Sequence, residues 1–372
     1  MKRHLVVFGT RPEAIKMIPI YLELLKHNKK KNVFLCVTGQ HDEMLYQVID
    51  FFNVKVDVDL KVMGINQSLS ELSAKILVSL DRVFKNFKPD YVYVHGDTTT
   101  STISALAAFY NKLIVCHVEA GLRSNNKYSP FPEEMNRRIT SKITDYHFTP
   151  TIEATKNLIS EGIDSKKIYK SGNTVIDALK HALKVVDKKN YKLFFKKNNL
   201  LQNENFILIT IHRRENFGIK MIEICEAIKK LSSKFKHFKF VFPVHLNPNI
   251  RKVVNDQLNN IPNILLIEPL DYGQFVWAMK YCKIILSDSG GVQEEGPFIG
   301  KPVVVLRENT ERPEAVESGV AFLVGSNKKK IISKVSELIL DIDYYNLISK
   351  PINIYGDGNA SKMIINYLNK VI

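Results

Sequence analysis

The stretch Lys283-Ile284-Ile285-Leu286-Ser287-Asp288-Ser289-Gly290-Gly291-Val292-Gln293-Glu294-Glu295-Gly296-Pro297 decides the fold. Its apolar run suits a buried strand, Ser287, Asp288 and Ser289 end that strand in a polar turn, and two glycines open a helix carrying acids in its first turns. A helix N-terminus offers unpaired backbone N–H groups and a partial positive charge, which suit an anion. Glycine lets a phosphate approach the backbone because no Cβ intervenes. Acids further along can accept from ribose hydroxyls, so the segment fits diphosphate plus ribose, the recognition problem of a nucleotide-sugar. An ordinary capped strand–turn–helix explains Gly-Gly alone equally well; the companion motifs tip the balance.

The same strand-then-helix alternation extends in both directions. Short apolar runs at 4–8, 33–38, 91–95, 114–119 and 146–149 have the character of strands buried on both faces of a parallel sheet. Helical patterns at 15–25, 68–87 and 98–110 lie between them. After a Lys/Asn-rich stretch at 188–205 the pattern restarts, with strands expected at 206–211, 238–243, 264–268, 284–286 and 303–306. Repeated βα units predict doubly wound sheets, and two such sheets predict two Rossmann-like domains with a cleft for a ligand. The first domain is expected over 1–172 and the second over 173–354, with 355–372 crossing back onto the first.

Composition narrows the function classes. At 372 residues the chain has room for two domains, and 45% hydrophobic with 24% charged residues is the balance of a soluble globular protein. No apolar run approaches the roughly 20 residues that span a bilayer, and the N-terminus turns straight into a strand rather than a signal peptide. Cys36, Cys116, Cys225 and Cys282 are far apart in apolar segments, which predicts buried free thiols in a cytoplasmic protein. The net charge of +15 comes from scattered lysines without interleaved aromatics. It argues for mild steering of anionic substrates rather than nucleic-acid binding.

Candidate site residues fall at expected strand ends, where doubly wound folds bind ligands. Gly9-Thr10-Arg11-Pro12-Glu13 follows the first strand, with Pro12 suited to a helix start and Lys16 one to two turns in. His95-Gly96-Asp97 ends another strand. His117-Val118-Glu119 ends the next, and strand alternation puts His117 and Glu119 on one face. A carboxylate there is costly unless paired or functional. Glu133 and Glu134 open a helix with Arg137 and Arg138 a turn later, a pattern that a salt-bridged helix start also explains. Asp97, Glu119 and Glu133 nevertheless come from consecutive strand ends, and crowded carboxylates can divide acid and base roles. His95, Asp97, His117 and Glu119 are metal-ligand types without tight ligand spacing, so no metal is expected. In the second half, His212-Arg213-Arg214-Glu215-Asn216 puts several donors at one strand end, which suits a diphosphate. His245 fits a core position or a nucleotide contact equally, and Arg312 follows the strand after the glycine motif.

These motifs, with Gly172-Asn173-Thr174 and Tyr355-Gly356-Asp357-Gly358, resemble in order and over nearly the whole chain the bacterial non-hydrolysing UDP-N-acetylglucosamine 2-epimerases. The resemblance implies the GT-B fold, with two Rossmann-like doubly wound α/β domains. It implies a homodimer that needs no cofactor and interconverts UDP-GlcNAc and UDP-ManNAc for surface polysaccharide synthesis. Asp97, Glu119 and Glu133 would supply the proton chemistry, with His212 in the catalytic set. Arg11, Lys16, Arg137, Arg213, Ser289, Gly290, Gly291, Glu295 and Arg312 would bind the UDP-sugar. The residues alone also admit a hydrolysing epimerase releasing ManNAc, a GT-B glycosyltransferase, or a non-catalytic nucleotide-sugar sensor. The resemblance further implies an allosteric pocket for a second UDP-GlcNAc around Gln40, His41, Glu43, Met44, Asn66 and His245, with Arg213 nearby. Some members carry Gln where this chain has Glu43, and Arg where it has Asn66. Glu43 puts a negative charge where a diphosphate would bind and Asn66 removes a cation, so weaker binding at that pocket is expected.

Overall fold

The computed structural model describes residues 2–39, 43–64, 67–188, 191–200 and 204–371, and forms two units, 1–180 with 355–372 and 181–354. The first is built on seven parallel strands: β1 (His4–Phe8), β2 (Val33–Val37), β3 (Val58–Asp59), β4 (Tyr91–His95), β5 (Ile114–Val118), β6 (Tyr146–Thr149) and β7 (Ile168–Lys170). Their order across the sheet is β3-β2-β1-β4-β5-β6-β7. The second unit has six: β8 (Phe206–Thr210), β9 (Lys239–Pro243), β10 (Ile264–Ile267), β11 (Ile284–Ser287), β12 (Val303–Val305) and β13 (Ala321–Leu323), in the order β10-β9-β8-β11-β12-β13. The α/β class with two Rossmann-like sheets expected from sequence is therefore met.

The strands form where they do because their side chains are apolar on both faces. Every residue of β1 and β4 is buried, as a parallel sheet covered by helices requires. In the second unit Ile207, Phe240, Ile284 and Val304 belong to one core with Ile224, Ile228 and Val335 from helices Ile219–Lys234 and Lys328–Leu340. The four cysteines are buried and unbridged. Among the described residues no helix is long and apolar enough to cross a membrane.

Strand order locates the chemistry. In each sheet the winding reverses between two neighbours, β1 and β4 in one unit and β8 and β11 in the other. Loops diverge at such a reversal and leave a crevice at the carboxyl ends of the strands. The loops there are Gly9-Thr10 and Gly96-Asp97 in the first unit, and Ile211-His212 and Asp288-Ser289 in the second.

Candidate functional site

In the first unit, helix Arg11–His27 begins at the end of β1. Thr10 caps it through a capping box, with the Glu13 carboxylate accepting from the backbone N–H groups of Gly9 (3.0 Å) and Thr10 (2.9 Å). The other Glu13 oxygen accepts from Thr98 Oγ1 at 2.7 Å, tying the turn after β1 to the turn after β4. Burial raises the Glu13 pKa against these hydrogen bonds. Glu13 is a fixture of the crevice that sequence reading passed over inside a helix-start motif. Arg11 starts the same helix, and its Nη1 lies 3.6 Å from Met44 Sδ.

Lys16, one turn further in and buried, reaches the Glu119 carboxylate as an ion pair. Glu119 was expected as the last residue of a strand, sharing a face with His117; β5 instead stops at Val118, and Glu119 has φ +59°. That left-handed conformation costs a non-glycine residue about 1–2 kcal/mol. It is held by bonds on either side, from Gly96 N to Val118 O (2.9 Å) and from Ala120 N to Phe148 O (3.0 Å). The strand expected to run through Glu119 therefore ends one residue earlier, and the His117 and Glu119 side chains both lie beside the His95-Gly96 turn. His117 Nε2 meets Gly96 O at 2.8 Å, while the Glu119 carboxylate meets Lys16, Asn173 Nδ2 (2.6 Å) and His95 Nε2 (3.7 Å). Burial drives the His117 pKa down to about 3, so the ring is neutral. Gly121, with φ +89°, lets the chain pass helix Ile152–Ser160, since a Cβ there would lie 2.1 Å from Ala154 O.

Asp97 is partly exposed and pairs with Arg137 Nη2 at 2.5 Å; its carbonyl accepts from Asn136 Nδ2 at 2.8 Å. Arg137 and Asn136 come from helix Glu133–Ile143, which opens with two acids of different character. Glu134 is fully buried and accepts from Ser124 N (2.9 Å), Arg138 Nε (3.0 Å) and Arg137 Nη1 (3.3 Å). The salt-bridged helix start weighed from sequence thus belongs to Glu134. Glu133 is half-buried, and its Oε2 finds no hydrogen-bond partner among the described residues. Asp97, Glu119, Lys16, Arg137 and His95 are gathered at the ends of β4 and β5, and Glu133 stands one turn before Arg137.

In the second unit, helix Gly290–Phe298 opens with Ser289 at its N-cap, and the Ser289 side chain makes no capping bond. Asp288, fully buried, accepts from the backbone N–H groups of His212 (3.1 Å) and Arg213 (2.9 Å), from Asn216 Nδ2 (3.0 Å), and pairs with His212 Nδ1 at 3.0 Å. Burial pushes its pKa up, but the His212 and Arg213 contacts outweigh that and leave it lowered. Asp288 thus folds the His212–Asn216 loop against the glycine helix, a role its place in a plain polar turn did not reveal. The His212 and His245 rings are stacked with centroids 6.4 Å apart.

Cations gather here too. Arg312 is buried, bonded to Glu294 (2.5 Å) and Glu311 (2.8 Å), and lies over Gly290, where a Cβ would come within 2.7 Å of its Nη1. Arg307 binds Glu215 (3.0 Å) and Glu311 (2.8 Å), and Arg213 lies 3.8 Å from Glu311. Desolvation, reinforced by Arg307 and Arg312, lowers the Arg213 pKa. Glu295 is buried, 3.6 Å from where a Gly291 Cβ would stand. Gln40, His41 and Asn66, and the Glu43 side chain, lie outside the described residues.

A first unit with carboxylates at its strand ends and a second with a buried arginine over the start of a glycine helix suit an α/β enzyme that acts on an anionic substrate. A sequence profile described as UDP-N-acetylglucosamine 2-epimerase matches residues 23–369. The chain is 51% identical over 370 residues to the UDP-N-acetylglucosamine 2-epimerase of Neisseria meningitidis serogroup A, covering 98% of this chain and 99% of that one. It is 45% identical over 371 residues to the enzyme of that name from Escherichia coli K12, covering 98% and 97%. The crystal structure of the Neisseria meningitidis UDP-GlcNAc 2-epimerase bound to UDP-GlcNAc matches with a TM-score of 0.94 at 50% identity, over 99% of this chain and 100% of that one. The chain belongs to the UDP-N-acetylglucosamine 2-epimerase family.

Proposed function

We propose that this enzyme reversibly converts UDP-GlcNAc to UDP-ManNAc without net hydrolysis, supplying an activated sugar for surface polysaccharide. The C2 proton is not next to a carbonyl, so direct deprotonation is prohibitive. Elimination avoids this. A base removes the C2 proton, the C–H electron pair becomes the C1=C2 bond of a 2-acetamidoglucal, and the C1–O pair leaves with UDP. Re-addition of the UDP oxygen to C1, with protonation of C2 from the opposite face, gives the epimer. That sequence needs an acid and a base as well as leaving-group stabilisation.

The observation that carries the reading is the pair of carboxylates at the ends of β4 and β5 with Glu133 at the start of the helix that supplies Arg137. Asp97 is held by Arg137, Glu119 by Lys16 and Asn173, and Glu133 Oε2 has no hydrogen-bond partner among the described residues. Asp97, Glu119 and Glu133 act on the sugar. The glycine helix, His212 and Arg213 serve the diphosphate, and Glu295 the ribose. The reading includes a homodimer working in the cytoplasm, and light scattering of the purified protein checks the dimer.

Incubation with UDP-GlcNAc in D₂O tests the proposal. The expected product is UDP-ManNAc carrying deuterium at C2. Free ManNAc with UDP as the accumulating products selects a hydrolysing epimerase instead. Epimer with full retention of the C2 proton removes the elimination mechanism.

A further inference from the structure

The Gly172-Asn173-Thr174 segment stands among the motifs yet has no part in the reaction above. Its geometry is specific. Asn173 immediately precedes helix Thr174–Val186, and its Oδ1 accepts from Val175 N at 3.0 Å. That bond fixes which way the amide points, and its Nδ2 donates to Glu119 Oε2 at 2.6 Å. The residue is only 2% exposed. Its own backbone N–H donates to Tyr355 O at 2.7 Å, and Gly172, with φ +85°, lets the Tyr355-Gly356 backbone pass at a distance that would put a Cβ 3.0 Å from Tyr355 O. The crossing segment that begins helix Ala360–Val371 thus clamps the turn bearing Asn173.

We propose that Asn173 is a positioning residue for the reaction. It grips Glu119 Oε2, together with Lys16, and so fixes the direction of the carboxylate that takes part in proton transfer. The inference rests on the reading of Glu119 as a catalytic carboxylate. Asparagine suits the place because one end must accept from a helix N–H and the other must donate to a carboxylate. Aspartate has no donor for the second demand, and a serine hydroxyl that caps the helix is too short to reach the carboxylate as well. Glu119 has an unfavourable backbone conformation and a long, flexible side chain, so contacts at the carboxylate must fix its direction. Among the described residues, the charged and titratable groups facing it include Lys16 from helix Arg11–His27 and His95 from β4.

The test uses the full-length enzyme with Asn173→Ser and Asn173→Asp, both of which keep a cap acceptor and hence the fold. Asn173→Ser is expected to lower kcat about 10- to 100-fold, the size of a lost charge-assisted hydrogen bond. KM for UDP-GlcNAc is expected to stay within about 2-fold and the thermal midpoint to be near wild type. Asn173→Asp places a second carboxylate against Glu119, so the limb of the pH–rate profile that reports Glu119 should move to higher pH by about one unit or more. In a Glu119→Gln background, Asn173→Ser should cause no further loss of kcat. Wild-type kcat and pH profile in both single variants overturn the inference, and so does a loss of activity that tracks a fall in thermal midpoint. Glu119→Gln on its own separates the two layers. Wild-type turnover in that variant removes the catalytic reading of Glu119, whereas an inactive Glu119→Gln beside an unaltered Asn173→Asp removes only the positioning.

Discussion

Replacing Asp288 with Asn is the sharpest single perturbation of the second unit. The two side chains have nearly the same shape, so packing is held constant while charge and acceptor count change. Asp288 accepts from His212 N, Arg213 N and Asn216 Nδ2 at 2.9–3.1 Å and from His212 Nδ1 at 3.0 Å, and it is fully buried. An amide oxygen can keep the Arg213 and Asn216 bonds but makes them neutral, and its NH₂ faces the His212 donors. Hydrogen bonds to charged groups are worth about 1.5–3 kcal/mol and neutral ones about 0.5–1.5. Weakening two bonds and losing the one to His212 Nδ1 comes to about 3.5–6 kcal/mol. In a domain of this size that is a fall of about 7–24 °C in melting temperature. The pH dependence carries a sign. The folded pKa of Asp288 is depressed, so its contribution is complete above the unfolded value of 3.8 and is lost as pH falls through the lower folded value. The gap between wild type and Asp288→Asn is therefore constant at neutral pH and closes below about pH 3.8. Urea unfolding at pH 7 and near pH 3 measures it. In the proposed reaction His212 also loses the partner that fixes its tautomer, so turnover falls in the folded variant. A variant within about 0.5 kcal/mol of wild type at pH 7 would refute the assignment of Asp288 as the hub of this loop.

Neighbouring acids should part company. Glu133→Gln is expected to keep wild-type stability and lose about 10²–10⁴-fold in turnover, whereas Glu134→Gln loses about 1–3 kcal/mol of stability by disrupting its bonds to Ser124, Arg137 and Arg138. Paired melting curves and turnover assays separate them. Gly290→Ala drives a methyl against the buried Arg312 guanidinium and should cost about 1–3 kcal/mol. Gly291→Ala, whose nearest neighbour would be Glu295 at 3.6 Å, should lie closer to wild type in the same thermal assay. Burial lowers the pKa of His4 to about 4, His117 to about 3 and His147 to about 4. The unfolded chain takes up those protons first, so stability is complete above pH 6.5 and falls as pH drops towards 4. His147→Gln should lessen that slope by about 1.4 kcal/mol per pH unit in denaturant titrations.

Short, wholly apolar runs made ten of the thirteen strands among the described residues legible, because a strand buried on both faces leaves little choice of residue. The three not expected are Val58–Asp59, Ile168–Lys170 and Ala321–Leu323, each two or three residues long. They are placed by a neighbouring strand rather than by a pattern of their own. Site residues were legible as types at strand ends but not as geometry. Alternation sent Glu119 to the His117 face because nothing in the letters announces a left-handed residue at the end of β5. The Glu133-Glu134 pair holds both a buried anchor and an acid with an unpartnered oxygen, and only the helix phase tells them apart. Asn173 and Asp288 sat inside motifs whose glycines and charges drew attention first. Their roles come from partners 54 and 76 positions away in sequence.

The two crevices mirror each other in charge. In the proposed reaction the functional groups of the first unit are carboxylates, and cations restrain them, Lys16 on Glu119 and Arg137 on Asp97. In the second unit carboxylates restrain arginines, Glu294 and Glu311 on Arg312 beside the glycine helix and Glu215 and Glu311 on Arg307. A carboxylate bonded to a cation is a weaker base than a free one, which is a poor start for removing an unactivated C2 proton. In the proposed elimination the deficit is met at the other end of the breaking bonds. As the C1–O bond lengthens, charge grows on the diphosphate, and donors already fixed around the helix N-terminus stabilise it without having to reorganise. Preorganised ion pairs of this kind stabilise each unit little once desolvation is counted. Their value to the proposed reaction lies in direction, since Asp97, Glu119 and Arg312 are each held by fixed partners.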